Sequence, residues 1–239
     1  MKSEEFRKNG HALIDWMADY MDTVENFDVR SQVNPGDILS VLDDEPPVEG
    51  EPMEDIFDDF KKKIIPGMTH WQHPSFFAYF PANSSPPSIL AEMLTSTLGA
   101  QCMLWQTSPA ATEMETRITG WLQKMAGLPP GLHGVIQDSA SSATLCALLT
   151  AREKATDWRT NKEGMTSLSS SLIVYTSEEA HSSTEKGAKI AGFGKDSVRL
   201  IRTDNQFRMC PEALRCAVVD DISNGHTPTC VVASMGTTG

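Results

Sequence analysis

The sequence predicts an α/β protein: a mixed, mostly parallel sheet with helices on both faces, preceded by an N-terminal helical segment. Three observations lead there. From Pro86 onward, helical periodicity alternates with short β-rich runs. The apolar runs are far shorter than the roughly 20 residues that span a bilayer. The 239 residues suit one large domain with an appendage.

The elements follow in order. Ser3 to about Val24 reads as a helix, with Phe6, Leu13, Met17 and Tyr20 at helical spacing. Phe27–Pro52 holds four prolines and the acidic run Asp43–Glu45, and reads as an extended linker. A short helix follows, with Met53, Ile56, Phe57 and Phe60 on one side, Asp58 and Asp59 four residues before Lys62 and Lys63, and Pro66-Gly67 at its end. These pieces bury little core alone, so they lie either on the rest of this chain or on a second subunit. Residues 1–85 are therefore assigned to an N-terminal segment and 86–239 to the α/β domain.

Pro86-Pro87 starts a helix continued by Ile89, Leu90, Met93, Leu94 and Leu98. Thr112–Ala126 is a helix expected to turn Met114, Ile118, Trp121, Leu122 and Met125 inward. Gly134-Val135-Ile136 is expected to be a short strand, Ala143–Lys154 a helix with Cys146 in the core, and Asp157–Ser170 a loop. Strands are expected at Leu172–Thr176, Val198–Ile201 and Cys230–Ala233, with helices at Glu185–Ala191 and Pro211–Val219.

The net charge of −12 argues against a nucleic-acid surface. Five cysteines without CxxC spacing argue against a disulfide framework or a zinc site, so no metal is expected. The polar, charged opening of the chain reads as cytoplasmic rather than as a secretory leader.

In α/β sheets ligands bind beyond the carboxyl ends of the strands. Three such exits stand out. Gln137–Thr144 is rich in small residues and serines before a helix, which suits a phosphate cradle, although such a turn is more often a plain N-cap. Ser177–Ser183 places His181 at a strand-to-helix exit, where an exposed imidazole suits stacking or proton transfer. Met235–Gly239 offers glycine for close backbone approach and threonine hydroxyls.

These residues, taken with others, carry a resemblance. Thr69-His70-Trp71, Pro74, Phe76–Pro81, Ser108-Pro109-Ala110-x-Thr112-Glu113-x-Glu115, Gly134–Gln137, Ser139-Ala140-Ser141, Ala180–Ser183 and Gly236-Thr237-Thr238 resemble the aromatic-amino-acid decarboxylase family in order and interval. The resemblance implies a pyridoxal-phosphate (PLP) dependent transferase-like fold of the aspartate aminotransferase type. It implies PLP as cofactor and decarboxylation of an L-amino acid, aromatic by preference. In that reading Ala140 and Ser141 hold the phosphate, His181 stacks on the pyridine ring and takes part in catalysis, and Thr238 touches the cofactor. Trp71, Tyr79, Phe80, Pro81 and Ala82 line the substrate pocket. Phe76 and Phe77 read as core packing. The family also implies a homodimer, with Gln101 and Met103 entering the partner's active site and the N-terminal segment lying over the second subunit.

Some positions depart from the family pattern. Asp138 stands where glycine is common and is expected to point away from the phosphate; Ser142 stands where glutamate is common. Ala82, Gln101 and Met103 also differ, which bears on substrate choice. The family's cofactor-holding lysine and its pyridinium-pairing aspartate are expected beyond Gly239; Lys186 and Lys189 read as solvated helix lysines, and these 239 residues alone are expected to be inactive. Two other readings remain: an aldehyde-forming relative, and a non-catalytic binding partner.

Overall fold

A computed structural model describes residues 1–80 and 84–236. Its helices are α1 (Ser3–Thr23), α2 (Asp37–Ser40), α3 (Met53–Asp59), α4 (Pro86–Leu98), α5 (Pro109–Met125), α6 (Ala140–Ala155), α7 (Arg159–Glu163), α8 (Ser183–Ile190) and α9 (Pro211–Ser223). The strands are β1 (Leu172–Ser177), β2 (Val198–Ile201) and β3 (Thr227–Val232). The chain divides into two compact units, Met1–Leu94 and Thr95–Gly239.

In the first unit α1 lays Trp16 against α3 and the turn that continues it, while Tyr20 packs on Phe27 and His70. Trp16 meets Phe57 and Phe60 edge-on, at 5.8 and 5.2 Å between ring centres. Helix α3 continues as a wider π turn over Phe60–Ile64 and closes in a tight turn at Ile65–Gly67. The expected Asp–Lys pairs form, Asp59 to Lys63 at 2.7 Å and Asp58 to Lys62 at 3.7 Å. Exposed pairs of this kind contribute little stability each.

The second unit is built on a parallel sheet of order β2-β1-β3. Strand β1 is central and buried at every position. A strand buried on both faces needs an uninterrupted apolar or neutral run, which Leu-Ile-Val-Tyr-Thr-Ser supplies. Alternation along β1 separates two cores. Leu172 and Val174 join Leu148 of α6 with Ala188 and Ala191 at the end of α8, on one face. Ile173 and Tyr175 join Ile201 and the Ala213–Val218 face of α9, on the other. Helices thus cover both faces, as expected. Strand β3 slips by one residue at Thr229, next to Pro228, whose missing N–H suits an irregular position.

Several expectations are corrected. Gly134–Ile136 is not a strand. A strand needs a ladder partner, whereas this segment lies on α5: the Ile136 N–H donates to Glu115 Oε1 at 2.6 Å, and a Cβ on Gly134 would lie 2.5 Å from the Thr119 Cβ. The α5 residues expected inward are exposed, from 37% at Ile118 to 82% at Met125, because no described element covers that face. Cys146 is exposed rather than in the core. Phe77 is 91% exposed, so core packing does not describe it. Residues 157–170 are not a plain loop; they contain α7 and a tight helical turn at Met165–Ser167, anchored because the buried Glu153 carboxylate accepts from the Thr160 hydroxyl and the Asn161 N–H.

Candidate active site

Helices α6 and α8 run alongside one another in the same direction. Gly187 of α8 lies on Leu145 and Leu148 of α6, where an added Cβ would meet Leu148 Cδ1 at 3.0 Å. Further along both helices, the Arg152 guanidinium donates to the Ala191 carbonyl at 2.6 Å. Their first turns therefore come to one end of the unit. Helix α8 begins six residues after β1 ends, so that end is the carboxyl edge of the sheet. The topology brings Ala140-Ser141 and the Ser177–Ser183 exit together at the edge where ligands of parallel sheets bind.

The first turn of α6 is suited to an anion. Ser139 is the N-cap, and its hydroxyl accepts the Ser142 N–H at 3.2 Å. The N–H groups of Ala140 and Ser141 precede any intrahelical acceptor and point out of the helix end. No acidic residue stands in this turn, so the helix dipole is uncompensated. The plain N-cap and the phosphate cradle are thus compatible, because the cap uses one donor and leaves others. Asp138, just outside the helix, is exposed.

His181 is exposed in the turn between β1 and α8. Its Nδ1 accepts the Ser183 N–H at 3.2 Å. In the neutral ring this places the proton on Nε2, the edge away from the turn. Lys186 is exposed on α8, and Lys189 pairs with Glu185 at 2.9 Å, both as expected.

A cleft of about 490 Å3 opens at the carboxyl ends of β1 and β3, lined by Ser177, Glu179, Phe207, Arg208, Ser234 and Gly236 among others. His181, Ala140 and Ser141 are not among its lining residues. One wall is a turn that sequence reasoning missed, Thr203–Met209 after β2, closed by an antiparallel bridge. Glu178 holds this turn: its Oε1 accepts the Thr203 N–H at 2.7 Å and the Thr203 hydroxyl at 3.0 Å. Those hydrogen bonds hold its carboxyl below the usual range. Asp204 caps the turn by accepting the Gln206 and Arg208 N–H groups at 2.8 and 3.0 Å. The signal was present in Asp204-Asn205, a common turn pair.

In the first unit, Trp71 stacks on Phe76 at 4.9 Å and on Tyr79 at 5.7 Å, with planes 29° and 18° apart. Tyr79 takes φ of 55°, uncommon for a non-glycine residue and a mark of a tightly specified turn. Tyr79 and Phe80 are 82% and 68% exposed. Pro81, Ala82 and Thr238 lie outside the described residues. Gln101 and Met103 are exposed in a turn that the Thr107 hydroxyl closes by donating to the Gln101 carbonyl at 2.7 Å.

Residues 35–239 match the pyridoxal-dependent decarboxylase conserved domain. The chain belongs to the pyridoxal-dependent decarboxylase family. It is 42% identical to tyrosine decarboxylase 4 of Petroselinum crispum, over all of this chain and 47% of that protein. The same identity over the whole chain relates it to tryptophan decarboxylase 2 of Oryza sativa subsp. japonica and to phenylacetaldehyde synthase of Arabidopsis thaliana, 49% of the latter being covered. Among solved structures, tryptophan decarboxylase of Catharanthus roseus in complex with L-tryptophan superposes with a TM-score of 0.91 at 38% identity, over all of this chain and 52% of that one. The chain spans about half the length of these relatives. The family's cofactor is pyridoxal phosphate, and the donor set at the start of α6 fits its phosphate. Among the described residues, no helix is long and apolar enough to cross a membrane.

Proposed function

We propose that the protein carrying this chain decarboxylates an aromatic L-amino acid to its amine and carbon dioxide, using pyridoxal phosphate. The observation that carries the proposal is the convergence of an anion-binding helix start at Ala140-Ser141 with the His181 exit at one edge of the sheet. Relatives named for tyrosine and tryptophan decarboxylation support the substrate class.

When bound, the cofactor supplies an electron sink that stabilises negative charge at the substrate Cα. The chain's own residues do the rest. Ala140 and Ser141 donate backbone N–H groups, and Ser141 its hydroxyl, to the phosphate, with Thr238 as a further contact. His181 presents a flat imidazole for stacking and a proton on Nε2 for transfer. Trp71, Tyr79 and Phe80 offer aromatic faces to the substrate ring, and the family resemblance adds Pro81 and Ala82 to the same wall. Burial of a ring against such a wall contributes through its large apolar area.

We read the protein as a cytoplasmic homodimer, with residues 1–85 lying on the partner and the exposed Gln101–Met103 turn reaching the partner's site. A panel of L-amino acids offered to the full-length, cofactor-loaded protein tests the proposal, reading carbon dioxide and amine. Release from tryptophan, tyrosine or dihydroxyphenylalanine with equal amine supports it; no release from any of them overturns it. The phenylacetaldehyde synthase relative favours one other reading, in which the same substrates yield aldehyde instead of amine. Light scattering of the same material tests the dimer.

A further inference from the structure

Helix α1 carries none of the residues assigned to the site, yet it reaches the aromatic wall through one side chain. His70 immediately precedes Trp71 and is only 5% exposed. Its ring packs against Phe27 at 4.7 Å and Tyr20 at 5.6 Å. Its Nδ1 shares a 2.7 Å hydrogen bond with the Tyr20 hydroxyl. Its backbone is held at both ends, the N–H donating to the Val29 carbonyl at 3.0 Å and the carbonyl accepting the His73 N–H at 3.0 Å. The turn then continues through the Phe76 N–H, which donates to the His73 carbonyl at 2.9 Å. Trp71 leaves this fixed point and stacks between Phe76 and Tyr79.

A buried imidazole among aromatic rings requires a partner for its polar nitrogen, and leaving it without one costs more than the bond itself contributes. Tyr20 supplies that partner from 50 residues away in sequence. Burial also holds the His70 imidazole below its usual range, which leaves the ring uncharged at neutral pH and able to accept at Nδ1. Trp71 is the next residue along the chain, so the placement of His70 sets the point from which Trp71 departs.

We propose that Tyr20 and His70 are positioning residues that fix the orientation of Trp71, and so set affinity for the substrate's aromatic ring without touching it. The inference rests on the reading of Trp71 as part of the substrate wall.

The test uses the full-length, cofactor-loaded protein and the aromatic substrate that turns over best. Tyr20→Phe, which keeps the ring and removes the hydroxyl, is expected to raise KM by about 3- to 10-fold with kcat within 2-fold, as weakened ground-state binding does. In a Trp71→Leu background the same change is expected to add nothing. His70→Asn, whose amide occupies the Nδ1 position, is expected to keep KM within 2-fold of the parent, whereas His70→Leu raises it. Near-UV circular dichroism reads the orientation directly: the Trp71 band, taken as the difference from the matching Trp71→Phe protein, is expected to fall by about half when Tyr20 is Phe. An unchanged band and unchanged KM in Tyr20→Phe overturn the inference, as does a KM effect that persists in full without Trp71. If the band falls but Trp71→Leu leaves KM unmoved, the substrate-wall reading fails and the claim about affinity fails with it. A fall in melting temperature with neither change marks a purely structural bond and also overturns the inference.

Discussion

The guanidinium of Arg199 on β2 grips the carboxylate of Asp221 on α9, with Nη2 at 2.5 Å from Oδ1 and Nε at 3.1 Å from Oδ2. The Tyr175 hydroxyl of β1 donates to the same Oδ2 at 2.9 Å. One carboxylate, 5% exposed, thereby joins two strands and the helix that covers them. Asp221→Ala leaves a largely buried guanidinium and hydroxyl without their acceptor. The expected loss is about 3 kcal/mol, read from urea unfolding of the full-length protein. A loss below about 1 kcal/mol contradicts the account.

The same carboxylate makes the sheet acid-sensitive. Arg199 and Tyr175 hold Asp221 below its usual range, Arg199 contributing most. A depressed carboxylate contributes stability that is present above its unfolded value of about 3.8 and is lost as pH falls through the folded value. Asp221→Asn is expected to flatten the pH dependence of stability below about pH 4, checked by thermal melts across that range.

The aromatic cluster responds in a higher window. Burial lowers the His70 pKa, with His73 adding to the shift and Asp28 opposing it. The unfolded chain therefore gains a proton near 6.5 that the folded chain does not yet bind, so stability falls as pH drops below that value. His70→Asn is expected to remove this component, seen as a smaller drop in melting temperature between about pH 7 and pH 5.5.

At the start of α6, Ser139→Ala removes the cap that holds the first turn. The expected cost is about 1 kcal/mol of stability together with weaker cofactor binding. Titration of the apoprotein with pyridoxal phosphate, followed by absorbance, checks the second effect. Unchanged binding would show that the cap is independent of the cradle.

In the full-length, cofactor-loaded protein, His181→Ala is expected to lower the decarboxylation rate by about 10²- to 10⁴-fold, the range typical for removal of a positioned proton donor, and to weaken cofactor binding through loss of the stacking ring. The check pairs carbon dioxide release with the cofactor absorbance of the same sample.

Much of this arrangement was readable from the chain, and the rest failed for identifiable reasons. Strands β1 and β2 and helices α6 and α9 were marked by their own periodicity, because each buries a face against a neighbour within the described residues. Gly134-Val135-Ile136 has the composition of a strand, but a ladder partner is a tertiary fact, and here the N–H of Ile136 goes to Glu115. Cys146 sits on an apolar helix, yet only its Leu148 face meets the sheet. Amphipathic spacing in α5 predicts which face is apolar and not what covers it. Within the candidate site, the helix start at Ser139 and the turn that carries His181 after β1 were legible as local structure, because a serine before an apolar helix is a capping signal and small polar residues after an apolar run mark its end. The Glu178 support of the Thr203–Met209 turn was not, since it joins residues 25 apart.

The bond from Arg152 to the Ala191 carbonyl has a mechanical consequence. From Arg152 back to Ala140, α6 is a rod about 18 Å long, so a tilt of about 2° at the pinned end swings the first turn by about 0.6 Å. Productive geometry tolerates about 0.5 Å. Arg152 thus acts as the fulcrum of the lever that aims the first turn of α6, and a disturbance at that fulcrum shows at the opposite end of the helix.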